Sequence, residues 1–426
     1  MKKHQVCLGG AGEARSLDPQ SSFHQPTTPG TTVFRAYRVE LDPTKKQVAT
    51  FLRYAGTARF IWNWALAQRI ETYKNTKKSP TYFDQTKAAV CLKKNGFPWL
   101  AEISSAVVER SLKNLDLAFK AFFRRVKAGE KPGFPKFHSR NRGVGGFTLR
   151  KSISVKPNAI KLPCIGWVRL KEKGYIPTRN IKIKTATVTE HAGRWFVSVA
   201  CEREIVVPIN TGQPIGVDLG INHLAVTSDG QVFEAPRPLK KLLKKLKHLS
   251  RQHSRKQKGG QNRKKAARRL AKVHYRIACV RANTLHEITT ALAKNHSLVA
   301  VEDLNVRGMM KNHNLAQAIS DVGFAEFRRQ LEYKCGWYGS RLVVVGRFFP
   351  SSKTCSGCGY VKEKLALSER VFQCEHCSLE IDRDLNAARN ILVAGMLPET
   401  LNACGVGSRK SPTKKQERLR TSNAAG

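Results

Sequence analysis

Two Cys-x-x-Cys pairs, CSGC at residues 355–358 and CEHC at residues 374–377, constrain this chain more than any other feature. Fifteen residues lie between them, a spacing that suits a zinc ribbon in which Cys355, Cys358, Cys374 and Cys377 surround one ion. Four thiolates leave no open coordination position, so this Zn2+ is structural. Gly359, just after the first pair, can take the positive φ that a knuckle turn favours. His376 lies inside the second pair, at an offset that breaks the symmetric spacing. The other seven of the eleven cysteines are scattered, which suits reduced thiols and a cytoplasmic setting rather than a disulfide framework.

The chain leaves the ribbon through DRDLNAARNIL, which reads as the start of a helix. Asp382 takes the N-cap position. Asp384, on the first turn, lines up with Ala387, Ala388 and Ile391, the side that would lie on a sheet. Two further acids sit in apolar strands, where a charge is costly unless it is paired or binds a metal. In PIGVDLGINHLAVTSDG, Asp218 shares its face with Gly216 and Gly220, leaving room for a close ligand. In SLVAVEDLNVRG, Glu302 shares its face with Leu298 and Ala300, and Asp303 points the other way.

Singly these are weak signals, since an Asp before Gly also opens the phosphate hairpin of actin-like ATPases, and a Glu in a strand often pairs with an Arg. Together, three carboxylates can hold two divalent cations about 3.5–4 Å apart for phosphodiester hydrolysis. Hard oxygen ligands suit Mg2+ or Mn2+.

Charge names the partner class. Of 426 residues, 76 are Lys or Arg and 31 are Asp or Glu, a formal net charge of +45 that calls for a polyanion. No apolar run approaches the roughly 20 residues of a membrane span, and the N-terminus lacks a signal-peptide core. Arg237–Arg281 contains eighteen Lys or Arg and no acid. Its apolar spacing predicts a basic helical hairpin at residues 237–282, with Lys264, Lys265, Arg268 and Arg269 as nucleic-acid contacts. PGFPKFHSRNRG interleaves Phe134 and Phe137 with Lys136, Arg140 and Arg142, cations for phosphate beside rings for stacking. Packing explains phenylalanines beside prolines equally well.

The expected organisation is α/β and multi-domain. Residues 1–32 and 399–426 read as a disordered leader and a disordered basic tail. Thr32–Leu41 alternates like a strand, and Thr44 with Gln47 has capping-box spacing. Val48, Leu52, Ala55, Trp62 and Leu66 then follow as one helical stripe, and Val108, Leu112, Leu115, Phe119, Phe122 and Val126 as another. Short strands at residues 130–208 predict a small barrel or sheet completed by the strand at 33–41.

The ordered set GVDLGINHLAVTSDG, VAVEDLNVRGM, PSSKTCSGCG, CEHC and DRDLNAARNI closely resembles the TnpB family, RNA-guided DNA nucleases of insertion sequences related to type V CRISPR effectors. The likeness extends from about Val33 to Gly395 and includes GTARFIWNWAL, whose Arg59 and Asn63 join the candidate nucleic-acid contacts. It implies a RuvC-type ribonuclease H-like domain at 209–350 and 379–398, with Asp218, Glu302 and Asp384 as its metal-binding catalytic acids. It also implies an inserted zinc ribbon at 351–378, a β-barrel wedge domain at 33–41 and 130–208, and a helical recognition insert at 42–129. The partners would be a transposon-derived guide RNA and target double-stranded DNA with a short adjacent motif, and the product a double-strand break. A strand-transferring transposase and a nuclease-dead, RNA-guided repressor are the competing readings, although a repressor should have lost one of the acids.

Overall fold

A computed structural model describes residues 31–140, 143–366 and 368–397. Arg142, the leader as far as residue 30 and the tail at 399–426 lie outside the described residues. Thr31 and Thr32, assigned to the leader above, already belong to the first strand. The chain divides into two compact units, one of residues up to Val207 with Lys244–Arg276, the other of Pro208–Leu243 with Ile277 onward.

The first unit is built on β1 (Thr31–Asp42), whose alternation buries Tyr37, Val39 and Leu41. Thr44 then caps α1 (Lys45–Thr76) through a complete capping box: its hydroxyl accepts from the Gln47 N–H, and the Gln47 side chain accepts from the Thr44 N–H. The stripe drawn along α1 needs correction. Leu52 is 47% exposed, whereas Phe51, Tyr54 and Ala55 pack on the sheet core and Ile61, Ala65 and Leu66 on a separate helical core. One helix serves two cores, so no single line of residues describes its buried face.

The helical core is completed by α2 (Tyr82–Asn95), a 3-10 turn at Pro98–Glu102 and α3 (Ser105–Lys127). Val108, Leu112, Leu115 and Phe119 of α3 are buried, but the stripe ends there, because Val126 is exposed. The remaining strands are β2 (Gly146–Leu149), β3 (Ser154–Lys156), β4 (Ala159–Leu162), β5 (Gly166–Leu170), β6 (Lys182–His191) and β7 (Arg194–Ile205). They form an antiparallel sheet in the order β2-β6-β7-β1-β5-β4-β3, which β1 joins across its centre. Among the described residues β2 and β3 are the end strands of this ladder. Ala192 and Gly193, both at positive φ, make the two-residue turn between β6 and β7. The β2 edge is packed beneath α1, where Phe147 meets Phe51 and Tyr54 with ring centroids 5.8 and 5.2 Å apart.

The second unit contains β8 (Ile215–Asp218), β9 (His223–Thr227) and β10 (Val232–Glu234); α4 (Pro238–Ser254) and α5 (Gln261–Asn295) follow, their stretch Lys244–Arg276 counting with the first unit. These two helices are the basic hairpin, which runs past the expected residue 282 because Leu285, Ile288 and Leu292 join the apolar core. The chain continues through β11 (Leu298–Glu302), α6 (Val306–Met309), α7 (Ala316–Val322), α8 (Phe324–Tyr338) and β12 (Arg341–Val345). A short hairpin of β13 (Val371–Gln373) and β14 (Glu380–Asp382) leads into α9 (Arg383–Met396).

The five-stranded sheet has the order β10-β9-β8-β11-β12. β10, β9 and β8 pair antiparallel with one another, and β11 is parallel to both β8 and β12. A parallel strand is covered on both faces, which explains the continuous apolar run of β11. Val217, Val299 and Val301 face a core shared with α5, α7 and α8; Ala300 faces Ile391 and Ala394 of α9. The alternation therefore turns Asp218 and Glu302 toward the α9 side.

Candidate metal centres

Asp218 ends β8 and Glu302 ends β11, and these strands pair in parallel with Val217 opposite Val301, which brings the two acids side by side. Helix α9 lies close over them because the sheet is bare at the contact. A Cβ on Gly216 would stand 2.1 Å from the Ala388 carbonyl oxygen, and one on Gly395 would stand 2.5 Å from the Ala300 Cβ. The first turn of α9 carries Asp384 into the same neighbourhood.

Electrostatics records the grouping. Burial, then the charges of Glu302 and Asp384, push the Asp218 carboxyl up to about 8, against weaker relief from the Leu219 N–H and Arg383. Burial likewise raises Glu302, opposed by a short hydrogen bond from the Ser351 hydroxyl to its Oε1. Three carboxylates on separate elements, held in one another's field with little cationic relief, are a donor set that fits hard divalent cations.

The neighbouring acids have other work. Asp382 caps α9, its Oδ1 accepting from the N–H groups of Asp384 and Leu385 at 3.0 Å each. Asp303 is ion-paired to Arg328 at 2.6 Å and Arg347 at 2.5 Å. Burial would raise its pKa, but the two guanidinium groups outweigh that and lower it.

In the cysteine cluster all four sulfurs lie within 4.8 Å of one another, with Cys355 to Cys377 and Cys358 to Cys374 each 3.6 Å apart. Gly359 takes φ +78° after the first pair, and Ser378 takes the equivalent place after the second at φ +56°. Backbone N–H groups point at sulfur: Gly357 to Cys355 at 3.4 Å, and His376 and Cys377 to Cys374 at 3.4 and 3.5 Å. Burial opposes ionisation of Cys374, yet donors from Cys377 and His376 help bring it down to about 6. The donor set fits one Zn2+, and the β13–β14 hairpin that supports it extends to Asp382, beyond the expected limit of residue 378.

Two clefts border the acids. One of about 550 Å3 is lined by His223, Glu234, Arg237, Arg370, Asp382 and Asp384, with His223 Nδ1 3.0 Å from Glu234 Oε1. The other, about 470 Å3, runs past Glu302 and is lined in part by Arg307, Arg328, Arg329 and Arg347. None of these arginines, nor His223 or Ser351, was among the candidate site residues, although His223, Arg307 and Ser351 fall inside the quoted motifs. Arg347 and Ser351 lie close in sequence to the ribbon, but nothing in their spacing marks them; only the fold carries them to the acids.

The candidate nucleic-acid contacts separate into two kinds. Asn63 is spent on the backbone of His138, donating to its carbonyl at 2.9 Å and accepting from its N–H at 2.7 Å. Arg59 donates to the Val144 carbonyl at 3.4 Å, and Trp62 stacks on the His138 ring with centroids 4.4 Å apart. These side chains fasten His138 and Val144 to α1. By contrast Lys136, Arg140, Lys264, Lys265, Arg268 and Arg269 are exposed, the last four along one face of α5.

Comparison with known proteins came to the same region. Residues 185–313 match a family model described as a probable transposase, and residues 324–391 one described as a Cas12f1-like TNB domain. Residues 33–78 match a model described as a helix-turn-helix domain, although here they form β1 and the single long helix α1. A Streptomyces pristinaespiralis protein named putative RNA-guided DNA endonuclease is 38% identical over 386 residues, covering 88% of this chain and 92% of its own. The putative RNA-guided DNA endonuclease InsQ of Escherichia coli K12 is 33% identical, covering 90% and 97%. Among solved structures, Cas12f1 in its complex with sgRNA and target DNA matches 84% of this chain and 98% of that one, with a TM-score of 0.54 at 15% identity, a likeness of fold.

Proposed function

The chain belongs to the TnpB family, and from that premise we propose that it is an RNA-guided endonuclease that cuts double-stranded DNA by metal-dependent phosphodiester hydrolysis. The observation that carries this reading is the convergence of Asp218, Glu302 and Asp384 from β8, β11 and α9, with Asp218 pushed up to about 8 by burial and by the other two acids. These three would hold two Mg2+ or Mn2+ ions, which when bound supply an activated water and stabilise the leaving oxygen. The protein's own part is placement. Asp382 fixes the start of α9, Gly216 lets the helix approach, and Asp303 keeps Arg328 and Arg347 beside the cleft at Glu302. Arginines on both clefts suit the phosphates of a nucleic-acid strand.

The partners are a guide RNA and the DNA it pairs with, the protein supplying backbone contacts and reading a short motif beside the target. Residues 209–350 with α9 act as the RuvC-like nuclease domain. The β1–β7 sheet works as the wedge domain, α1–α3 as the recognition insert, and the ribbon, with one structural Zn2+, supports the third acid. Exposed cations at Lys136, Arg140 and along α5 contact phosphates. Among the described residues no helix is long and apolar enough to cross a membrane.

In the ribonucleoprotein, Asp218→Ala should reduce guide-dependent cleavage by three orders of magnitude or more while RNA still copurifies. Undiminished cleavage by this variant excludes the assigned site. Guide-independent joining of DNA ends by the unaltered protein would favour strand transfer, the chemistry suggested by the description probable transposase.

A further inference from the structure

We infer that Ser351, Asn386 and Asn390 are positioning residues that couple the zinc ribbon to the nuclease acids, so that loading of the structural zinc sets the affinity of the hard-metal site. The inference rests on the function proposed above and assigns work to residues outside the acids and the thiolates.

Asn386 and Asn390 lie one turn apart on α9, 0% and 5% exposed, among Ala387, Ile391 and Ala394. Amides buried this deeply are costly unless their polar atoms are matched. Both reach the segment that enters the ribbon. Asn386 Nδ2 donates to the Thr354 carbonyl at 2.7 Å, and its Oδ1 accepts from the Ser356 N–H at 2.9 Å. Asn390 Nδ2 donates to the carbonyls of Ser351 at 2.8 Å and Thr354 at 2.6 Å. Residues 351–356 are therefore fastened to the helix that carries Asp384, and the first zinc ligand, Cys355, lies within that segment.

The opposite end of the segment reaches the acids. Ser351 is 4% exposed, and its hydroxyl donates to Glu302 Oε1. Two asparagines serving only to dock the ribbon would not require that contact. A donor on one oxygen of a ligating carboxylate fixes its rotation and leaves the other oxygen to the metal. Ribbon, helix and β11 are thus joined through one turn of chain, and a ribbon without zinc would lose the anchor at Cys355 from which that turn is held.

Ser351→Ala isolates the claim, because it removes the hydroxyl and keeps every backbone bond of the turn. In the full chain free of nucleic acid, with Asp218→Ala as the blank, Mn2+ binding measured by titration calorimetry should weaken roughly tenfold. Zinc content and unfolding temperature should stay as they were. The Mn2+ needed for half-maximal cleavage by the ribonucleoprotein should rise by a similar factor, and Ser351→Thr, which keeps the hydroxyl, should restore both. Cys374→Ser, which weakens zinc binding, should weaken Mn2+ binding in the same direction.

Unchanged Mn2+ binding in Ser351→Ala overturns the positioning role, and unchanged binding in the zinc-depleted Cys374→Ser chain overturns the coupling. Either failure leaves the nuclease reading intact provided Asp218→Ala still abolishes cleavage. Cleavage that survives Asp218→Ala would instead show that the acids themselves are misassigned.

Discussion

Residue by residue, the closest choices lay between acids one or two positions apart. Asp382 and Asp384 differ by half a turn of helix, and their places on that turn give one the cap and leave the other toward the sheet. Glu302 and Asp303 differ by one step along a strand, which is a change of face. Asn63 was not legible in this way, because whether an exposed-looking amide faces a phosphate or a backbone seventy-five residues on depends on where the loop returns. Asp218 allows a test by pH. Its folded pKa is about 8 against an ordinary 3.8, so its protonated form favours folding. That contribution is complete below about pH 4 and is lost as pH rises through about 8. With zinc in place and other metals removed, the unfolding temperature should fall between pH 5 and pH 8. Asp218→Asn should flatten that slope, and millimolar Mg2+ should offset the loss at pH 8.

At the level of elements, the amphipathic patterns succeeded where one element serves one core and failed where it serves two. The capping box at Thr44, the strand pair β8–β9 and the start of α9 could be placed from local chemistry alone. The buried face of α1 could not, since it turns from the sheet core at Phe51 to the helical core at Ile61. Gly216 tests how closely α9 must lie on β8. With the Ala388 carbonyl oxygen 2.1 Å from the place of a new Cβ, Gly216→Ala forces backbone to move. It should lower stability by about 1–3 kcal/mol in denaturant unfolding. Cleavage should fall by more than that loss explains, because the shift carries Asp384 away. Activity and stability at the level of the unaltered protein would mean that the helix can settle without disturbing the acids.

For the molecule as a whole, charge governs association. The exposed face of α5 bearing Lys264, Lys265, Arg268 and Arg269 should contribute to guide-RNA affinity through counterion release, at roughly 0.7 in the logarithmic salt slope per single-strand phosphate. Replacing all four by Ala should reduce the slope of binding against salt by up to about 3, with little change in affinity at high salt. An unchanged slope would remove this face from the RNA-binding surface.

The sequence by itself determined the features in which composition or short spacing imposes the chemistry: a polyanionic partner, four clustered cysteines of the kind that suits one zinc, and acids stranded in apolar strands. Only the tertiary structure decided which residues meet. It set Gly216 beneath α9, gave Asp303 to two arginines, and brought Ser351 against Glu302 across forty-nine positions of chain. Local spacing is fixed by covalent geometry, whereas contacts between distant segments depend on how sheet register and helix packing fold the whole chain back on itself.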